Sequence, residues 1–238
     1  MSEGGQGSGP KLLAWGVHAF TASGAAFAFL AILATTSGAY VAAWIYLSIA
    51  LLVDGVDETL ARAARVRERL PDFDGETLDL VVDYLTYVLV PVMLVYELEM
   101  LPASFLVPGC IAILMASLYT FCNRQLKTPD NFFNGFPALW NVVVFHFFIF
   151  STDALVNLAV VCLFLVLTFV PVKTVHPIRV AKWRPVTVAI LMLWAGAAMV
   201  MLISYPGWPF LSGVMVIASM GYFIAISVWR SLDPAPFG

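Results

Sequence analysis

The chain has 238 residues, of which 61% are hydrophobic and 11% charged, and its formal net charge is −3 at pH 7. A soluble domain is nearer half apolar and a quarter charged, so this sequence lacks the polar surface that would cover a water-soluble core. The same figures exclude a disordered or low-complexity chain, and no nucleic-acid partner is expected.

Residues 1–10 are polar and Gly-rich and read as a disordered leader. The apolar run 12–34 is too long for the hydrophobic stretch of a signal peptide, so a retained helix is expected there. Further apolar segments follow at about 39–53, 77–98, 103–122, 136–151, 153–172, 186–204 and 209–229. A helix needs about 20 residues to cross the hydrocarbon layer, and shorter ones are tolerated with little tilt. The connections between these segments are too short to hold a separate soluble domain. The expectation is an all-α integral membrane protein, a bundle of about eight transmembrane helices in one domain over 11–238. Three cysteines, Cys110, Cys122 and Cys162, lie in apolar runs without metal-ligand spacing and read as small buried hydrophobes.

Basic residues fix the orientation. The connection after the second segment carries Arg62, Arg65, Arg67 and Arg69, and the one after the fourth carries Arg124 and Lys127. The one after the sixth carries Lys173, Arg179, Lys182 and Arg184, with Lys11 and Arg230 near the two ends. The alternate connections, near Ser37, Glu97 to Leu101, Ser151 to Asp153 and Tyr205 to Trp208, have none. With every Lys and Arg on one side of an even number of helices, that side and both termini are expected in the cytoplasm.

Charged residues within a span are costly and mark function by default. Asp54, Asp57 and Glu58 stand at i, i+3 and i+4 near the end of the second segment, a spacing that puts them on one helical face. Asp79 and Asp83 lie one turn apart at the start of the third. Two antiparallel helices can therefore aim four or five carboxylates into one small volume close to the cytoplasmic entrance. Like charges this close repel unless protonated or neutralised, and no Lys or His occurs between Gly75 and Tyr96. A hard divalent cation, Mg²⁺ or Mn²⁺, suits such a set of oxygens. Glu68, Asp72, Asp74 and Glu76 read instead as solvated interfacial acids. Small residues at Gly55, Ala61 and Gly75 leave room for a bulky ligand beside the backbone, and Arg62 offers a planar fork suited to phosphate. The set suggests a metal-bound diphosphate with a lipid part. An ion transporter whose acids bind the transported ion is the competing reading, although it leaves Ala61, Arg62 and Gly75 without a role.

These residues closely resemble the signature of the CDP-alcohol phosphatidyltransferases, D-x-x-D-G-x-x-A-R, a spacer, then G-x-x-x-D-x-x-x-D. Here it falls on Asp54, Asp57, Ala61, Arg62, Gly75, Asp79 and Asp83. The long spacer with Arg65-Val66-Arg67-Glu68-Arg69-Leu70-Pro71 is similar to that of the bacterial phosphatidylcholine synthases. So are Asp83 to Val88, Asn131 to Pro137 with Trp140 and Asn141, and Thr168 to Pro171 with His176 to Val180. The resemblance covers the second to the seventh helix and implies eight helices in a bacterial inner membrane, a homodimer, and CDP-diacylglycerol and choline as substrates. It implies two divalent ions held by Asp54, Asp57, Asp79 and Asp83, with Asp83 as general base. It also implies that CDP-diacylglycerol is bound by Asp57, Ala61, Arg62 and Gly75, while Arg124, Lys127 and Arg179 are candidates for lipid phosphate. The departure is Glu58, where the family has Gly. That side chain either swings aside, serves the metal, or weakens substrate binding enough to impair activity. A different acceptor, inositol, serine or glycerol phosphate, keeps the same chemistry.

Choline requires aromatic faces. Tyr84, Tyr87 and Trp140 are the candidates, within a wider group that includes Phe132, Phe133 and Phe136. His18 and His146 read as core histidines, and His176 belongs to a loop that resembles the subfamily's. Pro91 is expected to kink the third helix beyond the acids, and Tyr205 to Trp208 reads as a Pro/Gly turn.

Overall fold

The computed structural model describes residues 8–123, 128, 130, 132–177, 180 and 183–233. Nine helices occur among them: α1 (Ser8–Thr36), α2 (Tyr40–Ala63), α3 (Val66–Arg69), α4 (Gly75–Glu97), α5 (Ala103–Cys122), α6 (Trp140–Phe150), α7 (Ala154–Phe169), α8 (Arg184–Ile203) and α9 (Phe210–Leu232). Six of them, α1, α2, α4, α5, α8 and α9, are long and apolar enough to cross a membrane, while α6 and α7 are shorter apolar helices. Each of the eight expected apolar segments is thus a helix, and the protein is a multi-pass membrane protein. Three boundaries differ most: α1 already starts at Ser8, inside the stretch 1–10 expected to be a disordered leader. The second helix runs ten residues past its expected end at 53, because Glu58, Leu60, Ala61, Arg62 and Ala63 sustain a helix after hydropathy has fallen. The segment expected from 136 becomes helical only at Trp140, after Ala138 turns to a positive φ of 58°.

The chain divides into two compact units, Met1–Leu94 and Val95–Gly238. In the first, α1 packs along α2, α3 and the start of α4. Buried Ala14, Val17, Ala28 and Ala31 on α1 permit that close approach. On α2 the buried stripe is Ala43, Trp44, Leu47, Ala50, Val53 and Asp57, so one helical face passes from apolar packing to a carboxylate without changing direction. Asp74 caps α4, accepting hydrogen bonds from the Thr77 amide at 3.0 Å and from its hydroxyl at 2.7 Å.

A π-helical turn, Tyr84–Leu89, interrupts α4. Pro91 lacks an N–H, and its ring would press on the carbonyl four residues earlier, that of Tyr87. The wider turn next to it is the form that the expected disturbance takes.

In the second unit, α5 packs on α7 and α8 on α9. Two short strands, β1 (Phe133–Asn134) and β2 (Lys173–Thr174), pair antiparallel, with Phe133 opposite Thr174. No strand was expected here. Gly135 follows β1 at a φ of +93°, and its amide donates to the Val172 carbonyl at 2.7 Å. A Cβ at that position would lie 2.8 Å from the Thr168 carbonyl oxygen, so conformation and space both require glycine. Behind the strands, Phe132, Val175, Val180 and Ile226 form a small core. Arg230, a topogenic charge by its place in the sequence, is instead buried and bonded to buried Asp130, Nε to Oδ2 at 2.8 Å. Of the cysteines, only Cys110 is buried as expected; Cys122 and Cys162 are exposed.

Candidate active site

The acids come together as their spacing requires. One carboxylate oxygen each from Asp54, Asp57 and Asp79 lies within 4.8 Å of the others. Asp54 and Asp57 belong to the buried side of α2, and Asp79 projects from the first turns of α4 beside it. Asp83 follows one turn along α4, and its Oδ1 is buried without a hydrogen-bond partner.

Each of the two α2 acids is held by a hydroxyl from a different helix. Asp57, 6% exposed, accepts a hydrogen bond at 2.7 Å from Thr21 of α1, itself 7% exposed. Asp54 accepts one from the hydroxyl of Tyr87, which leaves the π-helical turn of α4. Tyr87 is therefore buried with its hydroxyl engaged, and Tyr84 is half-buried. The third candidate aromatic, Trp140, lies in the other unit. It is 1% exposed, its indole N–H donates to Ser117 Oγ at 2.9 Å, and Phe136 packs edge-on against it.

Glu58 does not share the face of its neighbours. Its side chain is 47% exposed and ion-paired with Arg62, which is 73% exposed. Arg62 accordingly meets Glu58 on the flank of α2. Ala61 and Gly75 are half-buried, and a Cβ on Gly75 would come within 2.6 Å of the His18 ring. The side-chain space at this glycine is thus occupied by α1. A Cβ at Gly55, by contrast, would meet nothing within 4 Å. Arg124, Lys127 and Arg179 lie outside the described residues.

Sequence reading missed Thr21, which sits with Ser23 in a run of small and aromatic residues and carries no spacing signal. His18 is buried, as expected, and rests on Phe73 with ring centroids 4.3 Å apart, yet its Nε2 has no hydrogen-bond partner.

The donor set is chemically apt for a cation. Three convergent carboxylates offer hard oxygen, the preference of Mg²⁺ and Mn²⁺. The hydroxyls that hold two of them orient the groups without bringing positive charge, and buried Asp83 Oδ1 leaves an acceptor to be satisfied. The cluster can therefore hold a metal ion.

Comparison with known proteins agrees along nearly the whole chain. It is 44% identical over 222 residues to a phosphatidylcholine synthase of Pseudomonas aeruginosa, covering 93% of each chain. It is 39% identical over 228 residues to one of Legionella pneumophila, covering 93% of this chain and 89% of that one. A third, from Rhizobium johnstonii, is 36% identical over 227 residues, with 94% and 93% covered. No protein-family model and no solved structure matches the chain.

Proposed function

The chain belongs to the phosphatidylcholine synthase family, and from that premise we propose that it transfers the phosphatidyl group of CDP-diacylglycerol to choline, releasing CMP. The observation that carries this reading is the convergence of Asp54, Asp57 and Asp79 from the adjoining parts of α2 and α4. These three, with Asp83, would hold two divalent cations, Mg²⁺ or Mn²⁺. When bound, such ions polarise the phosphoryl oxygens and stabilise charge on the leaving CMP.

The protein's own groups do the rest. Asp83 takes the proton of the choline hydroxyl as its oxygen bonds to the phosphorus that carries diacylglycerol, and the bond from that phosphorus to the CMP oxygen breaks. Its position one turn beyond Asp79 suits a base that works beside the ions. Gly55 and Ala61 leave the α2 backbone open for the nucleotide. Arg62 reaches phosphate by releasing Glu58, an exchange that costs little because exposed ion pairs contribute about 0–1 kcal/mol. Tyr84, half-buried beside Asp83, offers a ring face to the quaternary ammonium. Trp140 is the less favoured aromatic, being packed on every side. Arg124, Lys127 and Arg179 are assigned to lipid phosphate on residue type alone.

The placement in a bacterial inner membrane, with the site and termini cytoplasmic, rests on the one-sided distribution of Lys and Arg. The homodimer rests on resemblance alone.

The test is CMP release by the purified protein with CDP-diacylglycerol, Mn²⁺ and a panel of choline, inositol, serine and glycerol phosphate. Release with choline, lost in Asp83→Asn, supports the assignment. Release with another acceptor only would move the chain to a sister activity, and ion flux without CMP would overturn the reading.

A further inference from the structure

We propose that α1 is part of the catalytic machinery, with Thr21 as the positioning residue of Asp57. The proposal rests on the metal reading above and names a residue that the two-helix signature does not contain. Three observations converge on it. The Thr21 hydroxyl donates to Asp57 Oδ2 at 2.7 Å across 36 residues of sequence. Both partners are more than nine-tenths buried, so water does not compete for the bond. The same face of α1 presents His18, one turn earlier, to Gly75 on α4, which locks α1 against the second acid-bearing helix too.

A carboxylate on a helix in lipid can rotate about two side-chain bonds. A fixed donor on one oxygen removes most of that freedom and leaves the rest of the group aimed at an ion. Outer partners of this kind set ligand orientation, and their loss typically weakens metal binding 10–100-fold. The hydroxyl is uncharged, so it orients Asp57 without competing with the cation for its charge. A Lys at the same place would tie the carboxylate just as well and displace the metal. The choice of Thr is therefore specific to a site that must receive a cation from outside.

The experiment is Mn²⁺ titration of the purified protein followed by electron paramagnetic resonance, in the parent, Thr21→Val and Thr21→Ser, with CMP release measured against Mn²⁺ concentration. Thr21→Val keeps the shape and removes the donor; Thr21→Ser keeps the donor. The expected result is a dissociation constant raised 10–100-fold in Thr21→Val and within about 3-fold of the parent in Thr21→Ser. Turnover in Thr21→Val should be recovered at high Mn²⁺. Parent-like Mn²⁺ affinity in Thr21→Val overturns the proposal and leaves the metal reading standing. So does equal weakening in Thr21→Ser, which would make the effect one of packing. If the parent itself binds no Mn²⁺, the metal reading falls, and this inference with it.

Discussion

The two units each bury carboxylates, and they treat them in opposite ways. In the second unit Asp130 meets Arg230 at 2.8 Å, both nearly inaccessible, with the guanidinium also lying 5.7 Å from the Phe132 ring centre. The charge is answered within the chain, and the pair ties β1 and its loop to α9. In the first unit, Asp54 and Asp57 are met by the hydroxyls of Tyr87 and Thr21. Those donors fix direction but supply no charge. A buried acid with its own cation is architecture, whereas acids gathered on neutral donors are a receptacle.

That contrast can be broken or sharpened by substitution. The largest effect is expected in the first unit on activity: Asp83→Asn should lower CMP release by about 10²–10⁴. Its melting temperature in metal-free detergent should equal or exceed the parent's, because one of several like charges is gone. A fall in melting temperature would mean that these acids are architectural after all. In the second unit the order reverses. Arg230→Met strands Asp130 and should cost about 3–5 kcal/mol of stability, seen as a lowered melting temperature. The double variant Arg230→Met/Asp130→Leu should regain much of that, while Mn²⁺ affinity stays at the parent's value throughout.

Smaller effects test the surroundings. Gly135→Ala puts a side chain at positive φ against the Thr168 carbonyl and should destabilise by roughly 1–3 kcal/mol. Thermal unfolding would read this as a loss in stability without a change in the metal dependence of turnover. Glu58→Gly restores the family's glycine. Since Glu58 is exposed and paired with Arg62, the stability loss should be limited to the roughly 0.5–1 kcal/mol that glycine costs inside a helix, and CMP release should stay within a few-fold of the parent. A gain of tenfold or more would show that Glu58 reaches into the site during turnover.

What could be read from sequence was what is local. Eight apolar segments announce themselves by hydropathy, and Asp54, Asp57, Asp79 and Asp83 by their 3- and 4-residue spacing inside apolar surroundings. The end of α2 was misplaced because a hydropathy profile registers the lipid boundary rather than the helix boundary. Glu58 was put on the face of its neighbours because i and i+4 were counted from Asp54, whereas the buried stripe passes through Asp57, one residue earlier. The Thr21–Asp57 bond, the strand pair joining residues 133–134 to 173–174, and Asp130–Arg230 across 100 residues are non-local. No periodicity encodes such contacts. Trp140 and Tyr87 read alike as aromatics near polar positions; their partners, Ser117 and Asp54, separate them.

The π-helical turn in α4 is in effect one residue inserted into a helix that would otherwise run straight. Deleting a single codon between Tyr84 and Leu89 would heal the helix, but it would rotate one half against the other by roughly 100° and draw it in by about 1.5 Å. Asp79 and Asp83 would then turn from α2, or else the far half would turn its packed face to lipid. The length of this short stretch is therefore constrained independently of its residue identities: even with Tyr87 kept, losing one residue would take its hydroxyl and the acids out of register.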